Sequence, residues 1–267
     1  PDQSLYAFRG AQHDSFDRMR KMLSESDRSV DEFLMPNCRR CSKAVIRRIQ
    51  AIVPEIRAVD TAIEGAAERV IATHTVPEFI GPGDMVLCRT NAPLVKLAWI
   101  LIKQNKKFYM RGGKKIAGQL KWYIRMWAEK CGPLTSDPGE IVNRAQRWLS
   151  ERACSDYKKA EHQGRIEVIT LIANKSVDVK AMMKEIDLIF RQPSDLSECV
   201  VLSTIHGSKG SESERVIHLM PHLCPHPKAT TPQQQKQERN AIYVCGTRPK
   251  VEYLEAIGDF ATEATGV

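Results

Sequence analysis

The sequence lacks any apolar run long enough to cross a membrane, since none approaches the roughly 20 residues that a membrane helix needs. It also lacks the G-x-x-x-x-G-K-[S/T] pattern, whose backbone N–H groups and lysine hold the phosphates of a nucleoside triphosphate. Phosphoryl transfer needs that cradle and a magnesium ion, so we expect the 267-residue chain not to hydrolyse ATP alone. Because the chain begins without a methionine or a leader, we expect it to be the middle of a longer protein.

The cysteines of the chain do not form the pattern of a disulfide-rich or zinc-binding protein. Its eight cysteines include one close pair, Cys38 and Cys41, and no second C-x-x-C motif. Scattered cysteines are typical of a reducing compartment, so we predict a cytoplasmic protein. A later cluster fits no typical zinc spacing and is interrupted by prolines, so we predict a loop and no metal site; its members are His218, His222, Cys224 and His226.

Positive charge is what the chain has in excess. The net charge is +8 and the isoelectric point is about 9.1, which favours a polyanionic partner. A hydrophobic content of 42% and a charged content of 27% are those of an ordinary soluble globular chain. The length is enough for one large domain or two modest ones.

A strand followed by a small-residue loop is predicted at residues 200–219. The apolar run 200–202 indicates a buried strand, and the loop after it carries Lys209 and Gly210. Small residues let backbone N–H groups approach an anion and lysine adds charge, as in phosphate sites. On composition alone, an ordinary surface loop is the commoner explanation.

Two other stretches place arginine beside predicted structural elements. Arg39 and Arg40 precede a predicted helix with apolar residues through residue 53, and arginine at a helix start can clamp a phosphate. A solvated basic first turn explains them as well. Arg89 ends a predicted strand at 85–91, where ligands of α/β proteins gather, or it pairs with a neighbouring loop. A helix at 92–104 and a strand at 107–111 are predicted to follow.

Aromatic residues accompany cations in two places. Residues 1–12 combine an amide, two rings and a guanidinium, which suit the stacking of single-stranded bases; they are Gln3, Tyr6, Phe8 and Arg9. Residues 114–130 interleave lysine and arginine with Trp122, Tyr123 and Trp127 at helical spacing. In both places, core aromatics beside a solvated basic face are the alternative.

Five segments, in this order, resemble the motifs of UvrD/Rep-type superfamily 1 DNA helicases. Residues 1–12 resemble D-x-Q-x-I-Y-x-F-R-G-A, residues 37–43 resemble N-Y-R-S/T-x-K, and residues 86–92 resemble V-L-x-R-T-N-A. Residues 204–212 resemble T-x-H-x-x-K-G-x-E, and residues 237–250 resemble E-R-x-L-x-Y-V-x-x-T-R-A. The chain departs from the family by carrying Cys38 or Arg39 in place of tyrosine, and Ser211 in place of leucine.

The resemblance implies a role for each matching residue. Near the γ-phosphate it implies that Gln3 is a sensor, that Arg9 supports it and that Arg40 reaches the phosphate across the domain cleft. It also implies that Arg248 is an arginine finger. Around the nucleotide it places Lys209, Gly210 and Glu212, the last on the ribose. Along the nucleic acid it places Tyr6, Phe8, Arg89, Thr204 and His206. A second register puts Arg39 in the place of Arg40; we choose Arg40, because the helix register directs its side chain.

The resemblance also implies the architecture. We expect an α/β fold with a RecA-like parallel sheet flanked by helices, the second motor domain of a helicase, with a small mainly helical insertion. Residues 1–25 would be the tail of a first RecA-like domain, 26–113 and 198–267 the second RecA-like domain, and 114–197 the helical accessory insertion. We also expect a helix at 16–24 and a closing strand at 251–257, and residues 228–236 are predicted as a polar linker.

The function implied is that of the C-terminal part of an ATP-dependent DNA helicase or translocase that moves 3′ to 5′. ATP and Mg²⁺ would be its cofactors, both requiring an additional N-terminal RecA-like domain of the same protein. Single-stranded DNA and duplex junctions would be its other partners, and no membrane is expected. The alternative is a catalytically silent nucleic-acid-binding or interaction module that has the helicase fold.

Overall fold

The computed structural model describes residues 15–25, 33, 35–152, 156–226 and 229–260. Its helices are α1 (Ser15–Glu25), α2 (Lys43–Ile49), α3 (Val76–Phe79), α4 (Asn91–Lys103), α5 (Gly113–Glu129), α6 (Pro138–Ser150), α7 (Asp156–Ala173), α8 (Val179–Ile189) and α9 (Pro232–Gly246). Its strands are β1 (Asn37–Cys38), β2 (Arg57–Ala58), β3 (Ala66–Ala72), β4 (Met85–Cys88), β5 (Phe108–Met110), β6 (Val200–Thr204), β7 (Ser213–Leu219) and β8 (Pro249–Ile257).

The main sheet has six parallel strands in the order β3-β8-β7-β4-β6-β5. Strand β4 is buried throughout, and four consecutive residues at the end of β7 are buried. Such continuous burial is typical of parallel strands that are covered on both faces. Register pairs Met85 with Val216 and Phe108 with Val200. The predicted fold class, an α/β RecA-like arrangement of a parallel sheet flanked by helices, is confirmed.

The chain divides into two compact units. The sheet unit comprises residues 1–93 and 203–267, and the helical unit comprises residues 94–202. In the sheet unit, α2 packs on β3, β8 and α9 and buries Val45, Ile46 and Ile49. Strand β8 is therefore covered by α2, while β7 and β3 pair with its two sides.

In the helical unit, α5 packs against α6, α7 and α8, and α6 packs along α7. Asp137 caps the start of α6 and Asp178 caps the start of α8, each accepting hydrogen bonds from backbone N–H groups. The buried guanidinium of Arg144 donates to the carbonyl oxygens of Trp127 and Pro133, at 2.9 and 2.8 Å. The bond to Trp127 O satisfies a carbonyl in the last turn of α5, where a helix has no partners of its own, and the bond to Pro133 O attaches the loop that follows.

Most elements predicted from the sequence lie where expected. Helices α1 and α4 match the predictions at 16–24 and 92–104, and the strands β4 and β5 match those at 85–91 and 107–111. Strands β6 and β8 match the predictions at 200–202 and 251–257. No helix among the described residues is long and apolar enough to span a membrane.

The prediction of a polar linker at 228–236 is wrong, because α9 begins at Pro232. Thr231 accepts a hydrogen bond from the Gln234 backbone N–H, and the Gln234 side chain accepts one from the Thr231 N–H, at 3.2 and 3.0 Å. This reciprocal capping box, followed by proline in the first turn, is a helix start signal. The polar composition of the segment conceals it.

Gly65 fixes the path of the chain that leads into α2. Its φ is +66°, in the left-handed region, and a Cβ there would overlap the Ser42 side chain and the Val251 carbonyl oxygen. The absence of a side chain at Gly65 leaves room for the hydrogen bond from Ser42 Oγ to Val251 O, at 3.0 Å. The segment before α2 is thereby attached to β8.

Replacing Gly65 by alanine is expected to lower the free energy of unfolding by more than about 2 kcal/mol, because strain and overlap coincide. Urea denaturation measures this loss. The matched control is Gly81→Ala, where a Cβ meets no heavy atom within 4 Å and the change should stay within about 0.5 kcal/mol. Equal stability of the two variants would contradict the role of Gly65.

Candidate functional site

The parallel sheet separates the candidate residues of the sheet unit into two groups. Because the strands run in one direction, their starts lie at one edge and their ends at the other. Glu212 and Arg248 immediately precede β7 and β8, at what we term the amino edge. Arg89 follows β4 and Thr204 ends β6, at what we term the carboxyl edge. Ligand sites of α/β folds gather at carboxyl ends.

The amino edge is built around the carbonyl oxygen of Thr247, which follows α9. Arg40 Nη2 donates to it at 2.7 Å and Cys41 Sγ at 3.7 Å. Arg40 Nη1 lies 3.6 Å from Glu212 Oε2, and Lys250 Nζ lies 3.2 Å from Glu212 Oε1. The side chains of Arg40, Glu212 and Lys250 are each partly exposed, so a carboxylate lies between two cations at the surface.

Arg248 lies at the same edge but is only 3% exposed. Its Nε donates to Val244 O at 3.0 Å, its Nη1 to Ser211 O at 3.1 Å and its Nη2 to Thr247 Oγ1 at 3.1 Å. Burial, and then the charge of Arg40, lower the pKa of Arg248. In this conformation Arg248 links the last turn of α9 to the loop before β7. To contact a phosphate, its guanidinium would have to leave these oxygens.

The loop between β6 and β7 joins the two edges. Thr204 Oγ1 accepts a hydrogen bond from the Gly207 N–H at 3.1 Å, and Ser208 Oγ donates to Ile205 O at 2.8 Å. Lys209 and Gly210 follow as exposed residues, and Gly210 has a φ of +86°. A left-handed glycine lets the chain turn here before Glu212.

The carboxyl edge contains a cavity of about 520 Å³, and its lining includes Arg89, Thr204 and His206. These are the residues of the described chain that the resemblance assigns to nucleic acid, and the structure brings them together. Burial, and then the charge of Arg89, lower the pKa of His206. His206 is therefore neutral at pH 7 and can both donate and accept a hydrogen bond.

Arg89 forms a two-point ion pair with Glu238 of α9. The distances are 2.8 Å from Nε to Oε2 and 2.6 Å from Nη2 to Oε1. Oε2 also accepts from the His226 N–H at 2.9 Å and from Cys224 Sγ at 3.4 Å. Burial opposes ionisation of Glu238, which is 5% exposed, but these donors outweigh it and the pKa of Glu238 is lowered.

Glu238 is a residue that the sequence reasoning missed. The sequence did contain a sign that Glu238 is buried, because it shares one helix face with Ala241 and Cys245 at helical spacing. All three are buried in the structure. An acidic residue on the buried face of a helix needs a cationic partner. The alternative stated for Arg89, a structural pairing, holds in this conformation, but the partner lies on a helix and not on a loop.

Helix α9 connects the two edges. Glu238 lies in the middle of the helix and Thr247 follows its end, nine residues later, which is about 14 Å along a helix axis. One residue therefore contacts the cavity at the carboxyl edge, while the other accepts Arg40 at the amino edge. A shift of this helix along its axis would move both contacts together.

Four of the predicted site residues lie outside the described residues: Gln3, Tyr6, Phe8 and Arg9. Arg39, the alternative to Arg40, is exposed. Among the described residues, no group of three or more cysteine, histidine or acidic side chains is arranged to hold a metal ion. His218 is buried with Nδ1 2.8 Å from Tyr253 Oη, and burial, then Arg48, lower its pKa to about 4.

Cys38 and Cys41 border Arg40 and interact with each other. The Cys41 side chain is the largest influence on Cys38; together with neighbouring backbone N–H groups and Arg40, it lowers the pKa of Cys38 to about 5, against the effect of burial. The interaction with Cys38, followed by burial, raises the pKa of Cys41. Cys38 is half-buried and Cys41 is buried. The amino edge therefore contains a cysteine whose pKa is lowered below that of an ordinary thiol.

Comparisons with known proteins assign no family. No family model and no curated protein matches the chain. Among solved structures, the chain is similar to the C-terminal domain of a possible DNA helicase from Lactobacillus plantarum WCFS1, at 11% sequence identity and a TM-score of 0.26. The match covers 84% of this chain and 90% of that one. A likeness this weak supports neither a function nor the role of a residue.

The lowered pKa of Cys38 predicts its reactivity. Between pH 6 and pH 8, alkylation of Cys38 by iodoacetamide is expected to change little, because the thiolate is already formed. An ordinary thiol such as N-acetylcysteine accelerates about tenfold per pH unit in this range. Mass spectrometry of the Cys38 peptide measures the rate. Cys41→Ala removes the largest influence on the Cys38 pKa and should shift the profile to higher pH; coincident profiles would contradict the interaction.

The Arg89–Glu238 pair predicts a pH-dependent contribution to stability. Arg89→Met leaves a buried carboxylate without its cation, so the free energy of unfolding at pH 7 should fall by about 3 kcal/mol. Since the pKa of Glu238 is lowered in the folded state, the pair stabilises above the ordinary glutamate pKa. This stabilisation is lost as the pH falls through the folded-state pKa.

The difference between the native protein and Arg89→Met should therefore shrink from pH 7 towards pH 3. Urea denaturation at several pH values measures it. Arg39→Met removes the same charge from an exposed position and should change stability by less than about 0.5 kcal/mol. An Arg89→Met variant as stable as this control at pH 7 would show that the pair is not stabilising.

Proposed function

We propose that this chain is the second motor domain of an ATP-dependent DNA helicase or translocase that moves 3′ to 5′. The direction of movement follows the family resemblance. The observation that carries the proposal is the placement of two candidate sites at opposite edges of one sheet, joined by α9. A motor needs such a connection, since nucleotide turnover at one site must change the grip on DNA at another.

The amino edge is proposed to face ATP held by a P-loop domain of the same protein. Arg40 is the partly exposed guanidinium there, and two hydrogen-bond or ion-pair partners, Thr247 O and Glu212, orient it. A planar, permanently charged group offsets charge on a phosphoryl group as it is transferred. Glu212 is proposed to accept a hydrogen bond from the ribose, with Lys209 and Gly210 in the adjacent loop.

These residues fit the phosphate and sugar of ATP, and none of them is assigned to Mg²⁺. The nucleotide supplies the phosphoryl group, and the P-loop domain is proposed to supply the phosphate cradle and the metal ligands. Arg248 is proposed to act as the arginine finger once its guanidinium leaves Ser211 O and Val244 O. Until then, it positions Thr247, and through Thr247 it positions Arg40.

The cavity at the carboxyl edge is proposed to bind single-stranded DNA. Thr204 and His206 offer neutral hydrogen-bonding groups at its wall, and Arg89 supplies a guanidinium that is only partly engaged by Glu238. The basic balance of the whole chain suits a polyanion. The Arg89–Glu238 pair then transmits a displacement of α9 to the wall of the DNA site.

A second candidate function is a nucleic-acid-binding module without turnover. One observation favours it: Arg248 and Arg89 are both engaged by partners within the chain. In that case, the amino edge is a structural cluster that holds α9, and only the cavity at the carboxyl edge has a ligand.

ATP hydrolysis by the protein that joins this chain to its P-loop domain separates the two candidates. We expect turnover stimulated by single-stranded DNA, and Arg40→Ala should lower kcat about 100-fold or more while DNA binding is retained. Arg39→Ala is the matched control and should stay within about twofold. Equal turnover of the two variants would contradict the role of Arg40, and DNA binding without any turnover would establish the second candidate.

A further inference from the structure

We propose that the helical unit carries its own binding site for single-stranded nucleic acid, in which a base stacks on Trp122. The site is a cavity of about 420 Å³ lined by Lys115, Gly118, Gln119, Trp122, Tyr123 and Arg165. Its volume falls within the range of small-ligand sites. The lining residues belong to α5 and α7 alone, so this site is separate from the cavity at the carboxyl edge and goes beyond the proposed motor function.

Trp122 is exposed where the other tryptophans are not. It is 57% exposed, whereas Trp127 is 1% and Trp99 is 7% exposed, and Trp148 is partly buried. A large aromatic ring on the surface leaves one face free for a ligand. The sequence left open whether this aromatic stretch is core or nucleic-acid surface. In the structure, Trp127 lies in the core, whereas Trp122 lies at the surface.

The ring of Trp122 is held in place from one side. It meets Tyr123 edge to face, with centroids 5.0 Å apart and the planes at 77°. Tyr123 in turn stacks on Trp127 at 5.4 Å and contacts Trp148 at 5.9 Å. A ring supported by a buried aromatic cluster loses little conformational entropy when a base stacks on it, which favours binding.

One face of α5 presents the groups that a nucleotide needs. Lys115, Gly118, Gln119 and Trp122 are spaced by three and four residues, so they share a face of the helix. A Cβ at Gly118 would meet no heavy atom within 4 Å, so the floor between the lysine and the tryptophan is open. The Gln119 amide can donate and accept hydrogen bonds at a base edge.

The charge of the lining points to a polyanion. Lys115 is exposed, and the Arg165 guanidinium lies 5.4 Å over the Tyr123 ring. Among the side chains that the structure describes, the cavity lining contains these two cations and no carboxylate. Cations that alternate with an exposed aromatic ring are the recurrent means of binding single strands, in which phosphates meet the cations and bases meet the ring.

Tryptophan emission provides a direct test with the 267-residue chain. Titration with an oligothymidylate should quench emission saturably, because only Trp122 is exposed to a stacked base. Trp122→Ala should lose this quenching and bind a labelled oligothymidylate about 5- to 100-fold more weakly. Trp122→Phe should retain most of the affinity without the quenching. Leu134→Ala removes another exposed apolar side chain of the same unit and should bind like the native protein.

Two further arms identify the ligand. Lys115→Gln should reduce the slope of log affinity against log salt by about 0.7, the value for one phosphate contact on a single strand. Thymidine monophosphate should bind far more weakly than the oligomer, because it offers a single phosphate. Equal affinity for the two would overturn binding of a strand and indicate a site for a free nucleotide.

The proposal is overturned if the oligomer leaves the emission unchanged, or if Trp122→Ala shows the same quenching as Leu134→Ala does. Its failure is distinguishable from failure of the motor function. Loss of the quenching with DNA-stimulated ATP turnover intact would remove this site alone. Quenching at Trp122 in a protein that never hydrolyses ATP would remove the motor function and leave the site.

Discussion

Helix α9 is held within the sheet unit by arginine at its middle and past its end, and the candidate site depends on these contacts. At the middle of the helix, the carboxylate of Glu238 accepts two hydrogen bonds from Arg89. Past its end, the carbonyl oxygen of Thr247 accepts one from Arg40, and Arg248 donates to Val244 O within the last turn. Because a helix is stiff along its axis, these contacts are mechanically linked.

The two attachments differ in strength for a physical reason. Glu238 is buried, so its charge must be satisfied by donors inside the protein, and removal of any donor is costly. Arg40 and Glu212 are partly exposed, and water screens their attraction. The Arg89–Glu238 pair is therefore held firmly, whereas the Arg40–Glu212 pair can separate at little cost. This difference suits the proposed motor, in which the carboxyl edge binds DNA and the amino edge responds to a nucleotide.

Sequence reasoning was successful where one element decides its own structure. The apolar runs of β4, β6 and β7 predict buried strands, and such strands require helices on both faces. Likewise, the helical spacing of Val45, Ile46 and Ile49 predicts the face that α2 buries. The parallel direction of the strands was expected from the family resemblance, and the alternation of strands with helices agrees with it.

The remaining features depend on contacts between distant parts of the chain. Arg89 and Glu238 are 149 residues apart, so no local pattern reveals their pairing. Trp122 and Trp127 belong to one aromatic stretch, and only the packing of α6 and α7 decides which of them is buried. The start of α9 is a different case, because it has a local pattern, the capping box of Thr231 and Gln234. The polar residues around this pattern favoured the wrong prediction of a linker.

Hydrogen exchange, measured on a protein that joins this chain to the proposed P-loop domain, tests the separation of the two edges most directly. A non-hydrolysable ATP analogue should slow amide exchange at residues 37–42 and 247–250. Single-stranded DNA should slow it at residues 89–91 and 204–207, at the other edge. Protection of the same segments by both ligands, or no protection at 37–42 and 247–250 by the nucleotide, would contradict a motor domain with two linked sites.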